Sequence, residues 1–155
     1  MAQEIERKFL LSSEDWRNQA ENATRIAQGY LNADPARTVR VRIKGEQGFL
    51  TIKGKNEGIT RAEYEYPIPL GDAAELLQLC PTVLDKTRHE IRNGGFLWEI
   101  DEFAGDNAGL IVAEIELPTA DTEFVKPDWL GAEVSGDARY YNSALSVTPY
   151  SRWPR

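Results

Sequence analysis

Two pairs of glutamates stand two residues apart, Glu4 with Glu6 and Glu114 with Glu116, each in a stretch where polar and apolar residues alternate. On a strand such spacing points both carboxylates the same way. Carboxylate pairs are hard oxygen donors. They suit Mg²⁺ or Mn²⁺, ions that commonly link protein carboxylates to phosphate oxygens. The basic residues obey the same spacing: Arg40, Arg42 and Lys44; Lys53 and Lys55; Lys86, Arg88 and Arg92. Lys8 falls in step with Glu4 and Glu6, Arg61 with Glu63 and Glu65, and Glu99 with Asp101. Arginine offers phosphate a planar fork and lysine a point charge. Together these residues point to phosphoryl transfer or polyphosphate binding. Glu-x-Glu alone recurs by chance in many strands, so the weight rests on the whole ordered series.

Composition removes other chemistries. The 155 residues include one histidine, which excludes a site built on several, and one cysteine, Cys80, which excludes a disulfide framework or a thiolate cluster. The formal net charge of -7 disfavours broad nucleic-acid or anionic-membrane binding while leaving room for a local basic site. No apolar run is long enough to span a bilayer, and the N-terminus lacks the basic-then-apolar order of a signal peptide, so a cytoplasmic location is expected. The length fits one domain over residues 1–155, with a homodimer left open.

The elements that would position these side chains are mostly strands. Alternation predicts strands over residues 3–10, 25–31, 38–44, 49–55, 59–68, 83–92, 96–103 and 110–117. Turns are expected at Asn32-Ala33-Asp34-Pro35, at Gly45-Glu46-Gln47-Gly48 and at Asn93-Gly94-Gly95. Helices are expected over residues 12–23, 72–79 and 137–147. The opposite strand faces are apolar: Val39, Val41 and Ile43 against the arginines of one strand, and Ile111, Ala113, Ile115 and Leu117 against its glutamates.

Solvated faces of antiparallel sheets are the ordinary source of such alternation. Here, however, the polar faces hold charge almost everywhere in place of the usual mixture with Thr, Ser, Gln and Asn. A closed antiparallel barrel would explain both faces, with apolar residues outside under short helices and charges of both signs in the lumen.

Glu4-Ile5-Glu6-Arg7-Lys8 matches the ExExK signature of the CYTH superfamily, the triphosphate tunnel metalloenzymes, and the chain resembles its small bacterial members. The likeness continues through Arg40 and Arg42, Lys53 and Lys55, Arg61 with Glu63 and Glu65, Lys86 and Arg88, Glu99 and Asp101, and Glu114 with Glu116. It implies a mainly β fold, a closed eight-stranded antiparallel barrel enclosing a tunnel, with flanking short helices. It also implies metal ligation by Glu4, Glu6, Glu114 and Glu116, with Glu63, Glu65 and Asp101 ligating a second metal or organising the basic groups. The implied triphosphate ligands are Lys8, Arg40, Arg42, Lys53, Arg61, Lys86 and Arg88, with Lys55 nearer a strand end. Lys8, Lys86 and Arg42 are the catalytic candidates. The two lysines would position the attacking water electrostatically, and the arginine would stabilise developing charge.

The resemblance admits inorganic triphosphatase, thiamine triphosphatase and class IV-like adenylyl cyclase activities, and a non-enzymatic polyphosphate-binding module stands as a further class. Small size, short loops and a charged lumen without a base pocket favour metal-dependent hydrolysis of tripolyphosphate or another small triphosphate. His89 has outward parity and reads as structural, as do Cys80 and the four tryptophans, Trp16, Trp98, Trp129 and Trp153.

Overall fold

In a computed structural model, described here for residues 3–154, nine strands carry the fold. They are β1 (Gln3–Leu11), β2 (Asn22–Asn32), β3 (Arg37–Lys44), β4 (Gln47–Gly54), β5 (Thr60–Ile68), β6 (Val83–Asn93), β7 (Phe96–Phe103), β8 (Ile111–Glu116) and β9 (Leu130–Glu133). All pairings are antiparallel, in the order β5-β4-β3-β2-β6-β7-β8-β1-β9. A further pairing of β5 with β1 closes the first eight strands into a barrel, as expected, and leaves β9 as an outer strand. The closure is short. Among the described residues Gln3, Glu4 and Ile5 pair with β5 and the Glu6 N–H donates to the Ile59 carbonyl, while Phe9 and Leu11 pair with β9. Beside Glu6 and Lys8 the β1 edge therefore opens on a small side cleft lined by Asn56, Gly58, Ile59, Ser135 and Tyr141.

Hairpin turns hold the registers. Gly94 and Gly95 both take positive φ, 60° and 81°, where a side chain would be strained, and they connect β6 to β7. Helix α1 (Leu70–Leu77) lies against β3 and β4. Gly48 lets it approach, since a Cβ there would come within 2.8 Å of the Ala73 Cβ.

Three helix expectations need correction. Residues 12–23 form only a 3-10 turn at Asp15–Asn18, and β2 begins at Asn22. Pairing of Asn22, Ala23 and Thr24 with Glu90, His89 and Arg88 satisfies the backbone that a short helix would have used. Residues 137–147 break into a 3-10 turn, Ala138–Tyr140, and the four-residue α2 (Asn142–Leu145), separated by the extended backbone of Tyr141. The helix expected at 72–79 starts two residues earlier, directly after Pro69. Strand β9 has no counterpart among the expected elements.

Two apolar clusters flank the charged lumen. One lies outside the barrel, where Phe9, Trp98, Ile100, Ala113 and Ile115 meet Trp16 and Trp129. His89 packs there too, its ring 4.9 Å from that of Trp16, as its parity implied. The second joins Tyr30, Leu84, Phe103, Leu110 and Val112 to Leu145 of α2. Tyr30, Leu84, Phe103 and Val112 stand two residues from Gln28, Lys86, Asp101 and Glu114 on their own strands, so they share the inward parity. Towards this end the lumen changes from charged to apolar, and the C-terminal segment plugs it.

Candidate active site

The lumen holds a cavity of about 230 Å³ lined almost wholly by ionisable side chains. Glu4, Arg42, Lys53 and Glu116, which come from four strands, all face it. Barrel register explains the mixture of signs. Glu4 is opposite Arg61, Lys8 opposite Glu114, Lys53 opposite Glu63, and Arg88 opposite Asp101. Three rungs among the described residues set like charges against each other, Glu6 with Glu116, Glu99 with Glu114 and Glu90 with Glu99. Such rungs are unfavourable in a merely structural sheet.

One wall is basic. Arg88 gives Asp101 two hydrogen bonds, Nε to Oδ1 at 2.8 Å and Nη2 to Oδ2 at 3.0 Å, while Lys86 Nζ reaches Oδ2 at 2.7 Å. Asp101 is fully buried, and its carboxyl sits far below the usual range: burial opposes ionisation, but Arg88 and Lys86 outweigh it. Lys86 is pushed down to about 7 by burial, reinforced by Arg88 and Arg42 and opposed by Asp101. Arg42 is lowered to about 9 by burial, with Arg40 and Arg88 beside it. Its Nε donates to Gln28 Oε1 at 2.9 Å, and its terminal nitrogens have no hydrogen-bond partner among the described residues. Arg40 binds Thr51 and Glu65 through Nη2, while its buried Nε has no partner among the described residues.

The other wall is acidic. Glu6 is held well above the ordinary carboxylate range by burial and by the charges of Glu114 and Glu4. Glu63 and Glu116 are raised as well, chiefly by burial. Glu4 goes the other way: burial pushes it up, but Lys53 and then Arg61 bring it below its usual value. Lys53 Nζ lies 3.0 Å from Glu4 and 3.3 Å from Glu63, and Arg61 Nε lies 3.5 Å from Glu4. Glu114 stands where the walls meet, 3.5 Å from Lys8 and 3.8 Å from Arg88. Burial would raise it, but Lys8 and Arg88 hold it at about 2. Lys8 is raised despite burial, because Glu114, Glu6 and Glu4 surround it.

Two expected site residues lie apart. Lys55 falls beyond the end of β4, exposed and off the cavity lining. Asp101 does not line the cavity, and both its oxygens are taken by cations, so its placement is that of an organiser of Lys86 and Arg88. Arg92, which shares the Lys86 and Arg88 spacing, is exposed beside Glu21. The structure adds neutral residues that charge spacing could not find: Tyr30, Phe49 and Asn142 line the cavity, and Gln28 supports Arg42 from below. The inward parity of Gln28 and Tyr30 on β2 was a signal available in the sequence. Nothing comparable marked Asn142.

A family model described as the CYTH domain matches residues 2–143. The chain belongs to the CYTH family. Two curated relatives are named inorganic triphosphatase. The protein from Acetivibrio thermocellus is 47% identical over 155 residues, covering 99% of each chain. That from Nitrosomonas europaea is 34% identical over 154 residues, covering 94% of this chain and 97% of its own. A solved crystal structure of an inorganic triphosphatase superposes with a TM-score of 0.68 at 33% identity, covering 95% of this chain and 96% of the other.

A CYTH barrel implies a divalent cation. Among the described residues no three His, Cys, Asp or Glu side chains stand close enough together to form a ready cation cage. The donor chemistry nevertheless fits. Glu6, Glu63 and Glu116 are oxygen donors whose ionisation is held back by burial and by neighbouring carboxylates, a penalty that a cation relieves. Magnesium-like ions keep part of their shell for water and phosphate oxygens, so an incomplete protein shell suits them. No described helix is long and apolar enough to cross a membrane.

Proposed function

We propose that this protein hydrolyses inorganic tripolyphosphate to phosphate and diphosphate in the barrel cavity, using Mg²⁺ or Mn²⁺. The observation that carries this reading is the cavity lining. Arg40, Arg42, Lys86 and Arg88 stand on one side, Glu4, Glu6 and Glu116 on the other, and apart from Tyr30 and Phe49 no aromatic or aliphatic side chain lies between them. Such a lining supports binding of linked phosphates and offers little to a nucleobase or a thiamine ring. The names of the two curated relatives support the same substrate.

The residues divide the work. Arg42, with its free terminal nitrogens, and Arg40, with its unpartnered Nε, would bind non-bridging oxygens and stabilise the charge that grows on them. Lys53, Arg61 and Arg88 extend this binding surface. Arg88 is locked by Asp101 and holds one fixed geometry. A phosphate polyanion beside Lys86 favours its charged form, so Lys86 would act as a cation towards substrate. Lys8 is held protonated by its carboxylate neighbours and would orient the attacking water without taking its proton. Glu4, Glu6, Glu114 and Glu116, with Glu63, would hold the cation. When bound, it neutralises phosphate oxygens and activates water. The new bond joins the water oxygen to a terminal phosphorus, the bond from that phosphorus to the diphosphate oxygen breaks, and the water proton passes to solvent or product. A cytoplasmic site of action suits the reading.

The test is a substrate panel with the purified protein under Mg²⁺ and Mn²⁺, separating phosphate, diphosphate and cyclic nucleotide. Tripolyphosphate should exceed ATP, thiamine triphosphate and diphosphate in kcat/KM. Cyclic AMP from ATP, a preference for thiamine triphosphate, or tight binding without turnover would each overturn it.

A further inference from the structure

The basic wall is tied to the C-terminal plug by neutral side chains. Asn142 Oδ1 accepts from Lys86 Nζ at 2.9 Å and from Gln28 Nε2 at 3.0 Å. Gln28 Oε1 in turn accepts from Arg42 Nε at 2.9 Å. With Lys86 in the charged form that a phosphate polyanion favours, the polarity of this relay is fixed at both ends, because neither an arginine nor a lysine ammonium can accept. Gln28 must therefore turn its amide nitrogen towards Asn142, and Asn142 must turn its oxygen towards Lys86. Each amide has one orientation that satisfies its neighbours.

This arrangement has geometric consequences for both cations. An ammonium has three N–H bonds at tetrahedral angles. Asp101 and Asn142 engage two of those on Lys86, which directs the third. A guanidinium held at Nε has its plane set, which aims the two terminal nitrogens of Arg42. Without the relay both cations would remain in the cavity, but their donors would swing.

Local structure explains how a four-residue helix can do this. Asn142 and Leu145 are three apart on α2, hence on one face. Leu145 is buried among Tyr30, Leu84 and Phe103 at the plugged end, which fixes the helix against the barrel. Thr82 Oγ1 also donates to the Ser146 carbonyl at 2.8 Å.

We infer that Asn142 and Gln28 are positioning residues that aim Lys86 and Arg42 at the terminal phosphoryl group, and that the plug thereby completes the active site. This rests on the triphosphatase reading above. Misaimed charge still attracts the substrate, so the loss falls mainly on turnover. Asn142→Ala should lower kcat on tripolyphosphate roughly tenfold to a hundredfold, with KM changed less than about threefold. Asn142→Asp keeps the accepting oxygen but adds charge near the substrate. It should hold kcat within about threefold of the wild type while KM rises. Gln28→Glu keeps the acceptor for Arg42 and loses the donor to Asn142, so its kcat should fall between those of the wild type and Asn142→Ala.

A second readout does not depend on turnover. The side-chain NMR signals of the Lys86 ammonium and the Arg42 Nε–H should both shift in Asn142→Ala, although Arg42 does not touch Asn142. Thermal melts establish that the variants are folded. The inference is overturned if Asn142→Ala stays within twofold of the wild type in kcat, if Asn142→Asp is as impaired in kcat as Asn142→Ala, or if the Arg42 signal is unmoved. If the wild type does not hydrolyse tripolyphosphate, the triphosphatase reading fails, and the NMR signals alone decide whether the relay aims both cations.

Discussion

Replacing Asp101 by asparagine separates stability from metal binding. The wild-type carboxylate accepts hydrogen bonds of 2.7, 2.8 and 3.0 Å from Lys86 and Arg88, and it is 0% exposed. An asparagine of the same shape keeps one accepting oxygen and turns an amide N–H₂ towards a cation. Breaking a buried ion pair from one side costs about 3–5 kcal/mol, because the partner charges stay buried and uncompensated. A domain of this size loses about 2–4 °C of Tm per kcal/mol, so Tm should fall by about 6–20 °C. Because Asp101 lies off the cavity lining, Mn²⁺ affinity measured calorimetrically well below Tm should stay within about threefold of the wild type. Glu116→Gln should do the opposite. Glu116 faces Glu6 across a like-charge rung, so its neutralisation should leave Tm unchanged or slightly higher while weakening Mn²⁺ binding at least about tenfold. A loss under about 1 kcal/mol in Asp101→Asn, or a collapse of metal affinity there, would refute the assignment of Asp101 to the basic wall.

Chelation should abolish phosphate release from tripolyphosphate, and Mg²⁺ or Mn²⁺ should restore it; full turnover without a divalent ion would sink the metal assignment. Because Glu6, Glu63 and Glu116 are raised, cation uptake should release protons, seen as a buffer-dependent enthalpy, and affinity should rise with pH through their raised values. Asp101 and Glu114 are depressed, so their contribution to stability is fully present above about pH 4.5 and is lost as pH falls, through about 2 for Glu114; acid melts should follow that sign. Arg42→Ala should reduce kcat/KM by about a hundredfold or more, since a phosphate contact to a buried cation is worth several kcal/mol, whereas Lys55→Ala, off the lining, should stay within about twofold.

Most of the charged lumen was legible because one physical rule governs it. On a strand, two residues along means the same face, and that rule places Glu4, Glu6 and Lys8 together as surely as Arg40 and Arg42. The rule says nothing about where a face stops lining the site. Lys55 keeps the spacing of Lys53 but lies past the last paired residue of β4, and Arg92 keeps the spacing of Arg88 but is exposed near the end of β6. Local helix signals failed where tertiary pairing offered the backbone a better partner, as at Asn22 and Ala23. Closure was equally invisible to periodicity, because it depends on β1 meeting β5, and an open sheet would show the same alternation. The family resemblance supplied it.

The division of the carboxylates was also beyond spacing, which left Asp101 either to ligate a metal or to organise the basic groups. Asp101 and Glu99 share a face of β7, yet Asp101 is buried between two cations while Glu99 faces Glu114 across a rung and is raised. The difference comes from depth in the barrel. Asp101 lies next to Phe103 and the apolar plug, where an unpaired charge could not be tolerated and each cation needs a partner. Glu99 lies nearer the mouth and is partly exposed, with Arg88 3.3 Å away on one side, and burial together with the charge of Glu114 raises it. Moving outward from the plug, the same inward parity therefore passes from apolar residues to neutralised ion pairs and then to carboxylates under mutual repulsion. The gradient leaves Glu99 and Glu116 nearer the solvent and the ion pair of Lys86 with Asp101 deepest. A linked triphosphate entering from the open end would meet both.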